Sequence, residues 1–163
     1  MPDDKLEKNK AIVRRMLEAF NTGNGSIVAE VLHPDVKDKS RQRHIVDELR
    51  DKPAHQRVQT EIMLEHEAFP DMKFKEESIT AEGDRVILRW SMTGTHKGKL
   101  LGRKGTGKKV KVFGTEIVRI QDGKIVEHDD DGTHVLDMLR QLGMLTPTVL
   151  RKLQLDADED GGD

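Results

Sequence analysis

Glu116, His128 and Asp130 are the residues of this chain whose types and spacing best suit chemistry, with Trp90 as their neighbour. His128 and Asp130 stand two residues apart, so an extended backbone puts both on one face. Acid and imidazole groups facing a core are costly unless they are paired or used. An aspartate desolvated among aliphatic side chains has its pKa raised, which makes it a usable proton carrier near neutrality. An imidazole beside it can hydrogen-bond a developing negative charge. The set suits acid/base proton transfer. The plainer alternative is that Glu116 and His128 satisfy each other as a buried polar pair, which a third carboxylate nearby makes less comfortable.

These residues fall on strands that the sequence marks clearly. Arg85 to Thr95, Lys109 to Ile120 and Lys124 to Asp130 alternate apolar and polar residues, and Met72 to Thr80 reads as a further strand. Glu82-Gly83-Asp84 is a turn. Gln121-Asp122-Gly123 is a tight hairpin, because Asp-Gly supplies the positive φ angles it requires. Alternation turns Val112, Gly114, Glu116, Val118 and Ile120 inward on one strand and Val126, His128 and Asp130 on the next. Trp90 shares the inward side of its strand with Val86, Leu88 and Met92. Three neighbouring strands thus aim Glu116, His128, Asp130 and Trp90 into one space.

Helices come first in the chain. Residues 5–20 place Ile12, Val13, Met16, Leu17 and Phe20 at helical spacing and stop at the break NTGNG. Ser26 is positioned to cap a short helix carrying Ile27, Val28, Val31 and Leu32, ending near His33-Pro34. A short surface helix is expected within the charged stretch 37–56, docking through Ile45, Val46 and Leu49 before Pro53. Another runs from about Arg57 to Phe69, packs through Val58, Ile62, Met63 and Phe69, and ends at Pro70. A last helix, Val135 to Leu142, ends at Gly143. Helices followed by an antiparallel meander make an α+β fold, with the helices packed on a strongly curved sheet. Such a cone leaves a cavity for a small molecule. Met16, Phe20, Met63, Trp90 and His96 are the side chains assigned to it, although the methionines and Trp90 also read simply as core.

Other motifs fail on inspection. Glu127, Asp129, Asp131 and Gly132 imitate the start of an EF-hand loop, but the position that must supply its last carboxylate is Met138. A metal site from His128, Asp130 and His134 would straddle a turn, and no metal is assigned. The segment from Gly102 to Lys108 imitates a phosphate loop, yet it continues into Lys109 and a strand instead of Ser or Thr and a helix. Seven bases lie between Lys97 and Lys111 with no acid among them. They read as a solvated hairpin able to draw an anion toward the cavity mouth. His33, His44, His55 and His66 have no site-like spacing.

Composition bounds the rest. The 163 residues suffice for one domain with a real core, here 1–145, followed by an extension, 146–163. That extension ends in DADEDGGD, five acids without a base, which predicts disorder there. The residues before DADEDGGD carry a net charge of +3, against −2 for the whole chain, too weak a balance to argue for nucleic acid. There is no cysteine, so disulfides and thiolate chemistry are excluded. The opening MPDDKLEKNK lacks the apolar run of a secretory signal, and no stretch approaches membrane-spanning length. The expectation is a cytoplasmic protein without nucleic-acid or membrane partners. Aromatic content is 3%, which weighs against a large planar ligand and for a non-catalytic ligand-binding or dimerisation module.

Several phrases carry a family resemblance: NKAIVRRMLEAFNTGN, LHPDV, FPDMKF, AEGDRVILRW, TGTH, TGKKV, RIQDGKIVEH and the closing QLG. Together, over roughly residues 8–143, they resemble the SnoaL-like polyketide cyclases of the nuclear transport factor 2-like α+β barrels. The resemblance implies a cone-shaped barrel, a homodimer through the outer sheet face, and cofactor-free acid/base chemistry of the aldol cyclase or isomerase type. It places Asp130 and His128 at the family's acid/base positions and Glu116 at another polar pocket position. The segment EHDDDGTH departs from the family, with Asp129 where a tryptophan is usual and His134 near a usual aspartate. Arg103, Lys104 and Gly105 replace a usual proline pair.

Overall fold

The computed structural model describes residues 1–39, 49, 51–130 and 132–151. Most of the surface helix expected in 37–56, Asp131 and the acidic end of the chain lie outside the described residues. Helix α1 (Pro2–Thr22) leads to the short α2 (Ile27–Val31), then strand β1 (Leu32–Asp38) and helix α3 (Ala54–Ala68). Strands β2 (Lys73–Glu82), β3 (Arg85–Thr95), β4 (Lys109–Gln121) and β5 (Lys124–Asp130) follow, and α4 (Thr133–Gln141) closes the cone.

The five strands form one open sheet in the order β1-β5-β4-β3-β2. The β2–β5 meander is antiparallel, as its turns require. Asp122 and Gly123 both adopt positive φ, 50° and 75°, in the hairpin between β4 and β5. Leu32–Asp38 corrects the expectation of a helix ending and a wholly antiparallel sheet. It is a strand, and it pairs parallel with β5. Pro34 argues against a strand only where its missing N–H is needed. At the sheet edge, beside an irregular register between Leu32 and Lys37, it is tolerated. This edge strand brings Asp38 alongside His128.

The inward faces of β3 and β4 follow alternation, but on β5 a register irregularity opposite Arg119 and Ile120 corrects the expected inward Val126: Ile125 is the buried residue and lines the interior with His128. Val86, Leu88, Trp90 and Met92 of β3 are buried, as are Val110, Val112, Val118 and Ile120 of β4. Trp90 lies directly opposite Gly114 in the ladder. The indole occupies the space that a β-carbon at Gly114 would need, so the glycine is there to let the ring lie flat across β4.

Helix α1 is clamped over the β2 edge by polar pairs. Arg14 holds Glu76 through two bonds, 2.7 and 2.9 Å. The Asn21 amide donates to the Phe74 carbonyl and accepts the Phe74 N–H, at 2.9 and 2.7 Å, which substitutes for a missing strand partner. Lys124 of β5 donates to the Ala29 and Glu30 carbonyls at 2.7 Å, satisfying acceptors at the end of α2. Ser26 sits at the cap position but bonds Asn24 instead of the helix.

Candidate functional site

Between the helices and the concave sheet lies a cavity of about 280 Å³. The sheet contributes Trp90 from β3, Glu116 from β4, and His128 and Asp130 from β5; α3 contributes Arg57, Glu61 and Glu65. Four of the chain's five aromatic side chains, Phe20, Phe69, Phe74 and Trp90, line it. Low aromatic content therefore does not mean a poor surface for a planar ligand, because nearly all of it is concentrated here. The rings form an edge-to-face series, Phe20 to Phe74 at 5.6 Å, Phe74 to Trp90 at 5.1 Å and Trp90 to His134 at 4.9 Å.

The polar wall is built on strand register. Glu116 faces Asp130 across the β4–β5 ladder, and His128 lies diagonal to Glu116. His128 Nε2 meets Glu116 Oε2 at 3.1 Å and its Nδ1 meets Asp38 Oδ1 at 3.4 Å. Asp38 also accepts from Arg57 at 3.3 Å. Burial alone would discharge His128. The carboxylates of Glu116 and Asp38 outweigh it and raise the imidazole well above its ordinary range. Burial likewise pushes Glu116 up, but His128, through its charge and its hydrogen bond, holds that carboxyl below its ordinary value. The two form an ion pair at neutrality, so the polar-pair alternative describes them correctly as far as it goes. Both His128 nitrogens face carboxylates, which makes the ring a fixed positive charge.

Asp130 is different. Its Oδ1 accepts the Gly132 N–H at 2.6 Å, and His134 Nδ1 lies 3.6 Å away. Gly132, at φ 70°, opens α4 and turns the chain sharply enough to bring His134 back over Asp130. Burial raises the Asp130 pKa, and the nearby Glu116 charge adds to this. His134, the Gly132 N–H and His128 oppose without reversing it. A carboxylate raised in this way and facing the cavity is suited to accept and return a proton. The Trp90 indole N–H is buried without a hydrogen bond of good geometry, and its weak contact helps hold Glu116 ionised.

The sequence-assigned residues separate here. Glu116, His128, Asp130, Trp90, Met16 and Phe20 line the cavity. Met63 is corrected: it lies on the outer side of α3 and is 61% exposed. His96 is corrected as well. It is fully buried but lies outside the cavity lining, where its Nδ1 accepts from the Thr106 hydroxyl at 3.0 Å and the Thr106 N–H at 3.2 Å. Together with the His96–Lys108 and Gly107–His96 backbone bonds, this pins the base of the hairpin. The glycines of that hairpin serve close packing. A β-carbon at Gly98 would strike the Glu67 carbonyl, and one at Gly105 the Lys97 carbonyl. Among the described residues no three His, Asp or Glu side chains converge in a metal-binding arrangement.

Sequence reasoning missed Asp38, Glu61, Glu65 and Phe74. Glu61 and Glu65 recur at helical spacing beside Val58 and Ile62, a signal that reads equally as the solvated flank of an amphipathic helix. In the fold that flank borders the cavity. Burial, with Glu116 and Asp38, pushes Glu61 up to about 7 against the opposing charges of His128 and Arg57.

Comparison with known proteins agrees with this architecture. The chain is 33% identical over 137 residues to aklanonic acid methyl ester cyclase DnrD of Streptomyces peucetius, covering 84% of this chain and 92% of the relative. It is 30% identical over 132 residues to nogalonic acid methyl ester cyclase of Streptomyces nogalater, covering 78% and 92%. The crystal structure of AclR from Streptomyces galilaeus superposes with a TM-score of 0.67 at 30% identity, covering 86% of this chain and 99% of that one. Residues 10–142 match the family as a whole, and the chain belongs to the SnoaL-like polyketide cyclases.

Proposed function

We propose that this protein closes a ring in a polyketide-derived methyl ester by an intramolecular aldol reaction, with Asp130 as the acid/base group. The observation that carries the reading is a half-buried, upward-shifted Asp130 facing an aromatic-lined cavity, beside a Glu116–His128 pair that keeps its own charges. In the reaction, the Asp130 carboxylate takes a proton from a carbon activated by adjacent carbonyl groups. The resulting enolate carbon bonds to a ketone carbon of the same molecule, and the ketone π pair moves onto its oxygen. That oxygen takes the proton from Asp130, so the product is an isomer and the carboxylate is restored. The imidazolium of His128, oriented by Asp38 and Glu116, acts as a positioning charge that favours the enolate at a distance. The Trp90 N–H is available to the oxygen that becomes negative.

The relatives named as methyl ester cyclases supply the substrate class. Incubation with aklanonic acid methyl ester tests it. Conversion to a cyclised product of unchanged mass supports the reading, and recovery of the unaltered ester across the neutral range removes it.

The assembly belongs to the same proposal. Ile87 and Ile117 are register partners on the outer sheet face, and with Phe113 they remain 37–47% exposed. A second copy of the chain covering this apolar strip gives the homodimer that the resemblance implies.

A further inference from the structure

Helix α3 places a carboxyl in the cavity that the reaction above does not use. Glu65 lines the space together with Glu61, one turn before it on the same face. Its Oε2 is fully buried and meets no hydrogen-bond partner among the described residues. An ionised carboxylate there would leave that buried oxygen without compensation, beside the charges of Glu61 and Glu116.

We propose that Glu65 presents a neutral carboxyl to the cavity and donates a hydrogen bond from it to an uncharged carbonyl or ester oxygen of the bound ligand. This rests on the ligand class given above and adds the contact that orients it. The placement is what a donor needs. Glu65 stands on the helical wall, whereas Asp130 and Trp90 stand on the sheet, so a planar ligand between the layers is addressed from both sides. Burial first, then Glu61 and Glu116, raise the Glu65 carboxyl well above its ordinary value, consistent with the proton being held at neutrality. A site so built rejects a ligand bringing its own carboxylate to that wall.

Two measurements on the full chain decide it. Infrared difference spectra of the wild type against Glu65→Gln at neutral pH should contain a protonated-carboxyl band. A carboxylate band in its place overturns the proposal. Titration with aklanonic acid methyl ester gives the second readout. Glu65→Gln keeps an N–H donor and should bind within about threefold of the wild type, whereas Glu65→Leu, without a donor, should bind about tenfold more weakly. Removing an unpaired buried carboxyl should leave Glu65→Leu at least as thermally stable as the wild type, so its weaker binding would not reflect misfolding. Equal affinity in Glu65→Leu and wild type overturns the proposal. A wild type that binds no ester removes the substrate reading instead, and the infrared band then decides the protonation of Glu65 alone.

Discussion

Replacing His128 by leucine is the perturbation whose size follows most directly from the site. His128 bridges Glu116 at 3.1 Å and Asp38 at 3.4 Å, with both His128 and Glu116 side chains less than one-third exposed. Asp38 keeps Arg57 when the imidazole is lost, but Glu116 keeps only the more distant His134 charge and the weak Trp90 contact among the described groups. Breaking a buried pair from one side costs about 3–5 kcal/mol, and the lower end applies because both groups border a cavity. About 3 kcal/mol lowers the Tm of a chain this size by about 6–12 °C. The pH dependence has a definite sign. The raised His128 pKa contributes stability that is complete below 6.5 and is lost as pH rises through the raised value. The lowered Glu116 pKa contributes stability that is complete above 4.5 and is lost as pH falls through the lowered value. The gap in Tm between wild type and His128→Leu, read by calorimetry, should therefore be widest between pH 4.5 and 6.5 and close on either side. A gap below about 2 °C in that window, or one independent of pH, would refute the ion-pair description.

Three further outcomes follow from the same geometry. Gly114→Ala forces a β-carbon into the Trp90 ring and should cost about 1–3 kcal/mol in urea unfolding, a loss that Trp90→Leu in the same chain partly relieves. Trp90→Phe keeps a ring against Phe74 but removes the indole N–H, so turnover of the ester by the folded variant should fall about tenfold, with a modest fall in the urea midpoint from the smaller buried ring. Ile87→Lys with Ile117→Lys places charge on the outer sheet face and should convert the proposed dimer to a monomer in analytical ultracentrifugation, where a wild type already monomeric would refute the proposed assembly. A variant that sediments like the wild type would move the interface elsewhere.

The meander was legible in the sequence because each strand states its own face. Alternation put Glu116 and His128 inward, and Asp122-Gly123 announced its turn by residue type. The edge strand β1 was not legible, since Pro34 reads as a break until a partner on one side makes its missing N–H harmless. The same holds for the helical wall. Periodicity identifies α3 but cannot distinguish solvent from a cavity as the surroundings of Glu61 and Glu65, and it wrongly turned Met63 inward. His96 looked like a pocket group because alternation continues to the end of β3, where the hairpin closes over it. Pairings between elements distant in the chain, such as Asp38 with His128, depend on register and leave no local trace.

The most direct test of the account is the turnover of aklanonic acid methyl ester by Asp130→Asn. An asparagine there can still accept the Gly132 N–H through its Oδ1, so the turn into α4 and the thermal stability should survive. It cannot take a proton, and turnover should fall by about a hundredfold or more, the range expected for a positioned general base. In the wild type, kcat/KM should rise with pH through the raised Asp130 pKa. A folded Asp130→Asn variant that cyclises the ester at the wild-type rate would contradict the assignment of Asp130 as the proton carrier.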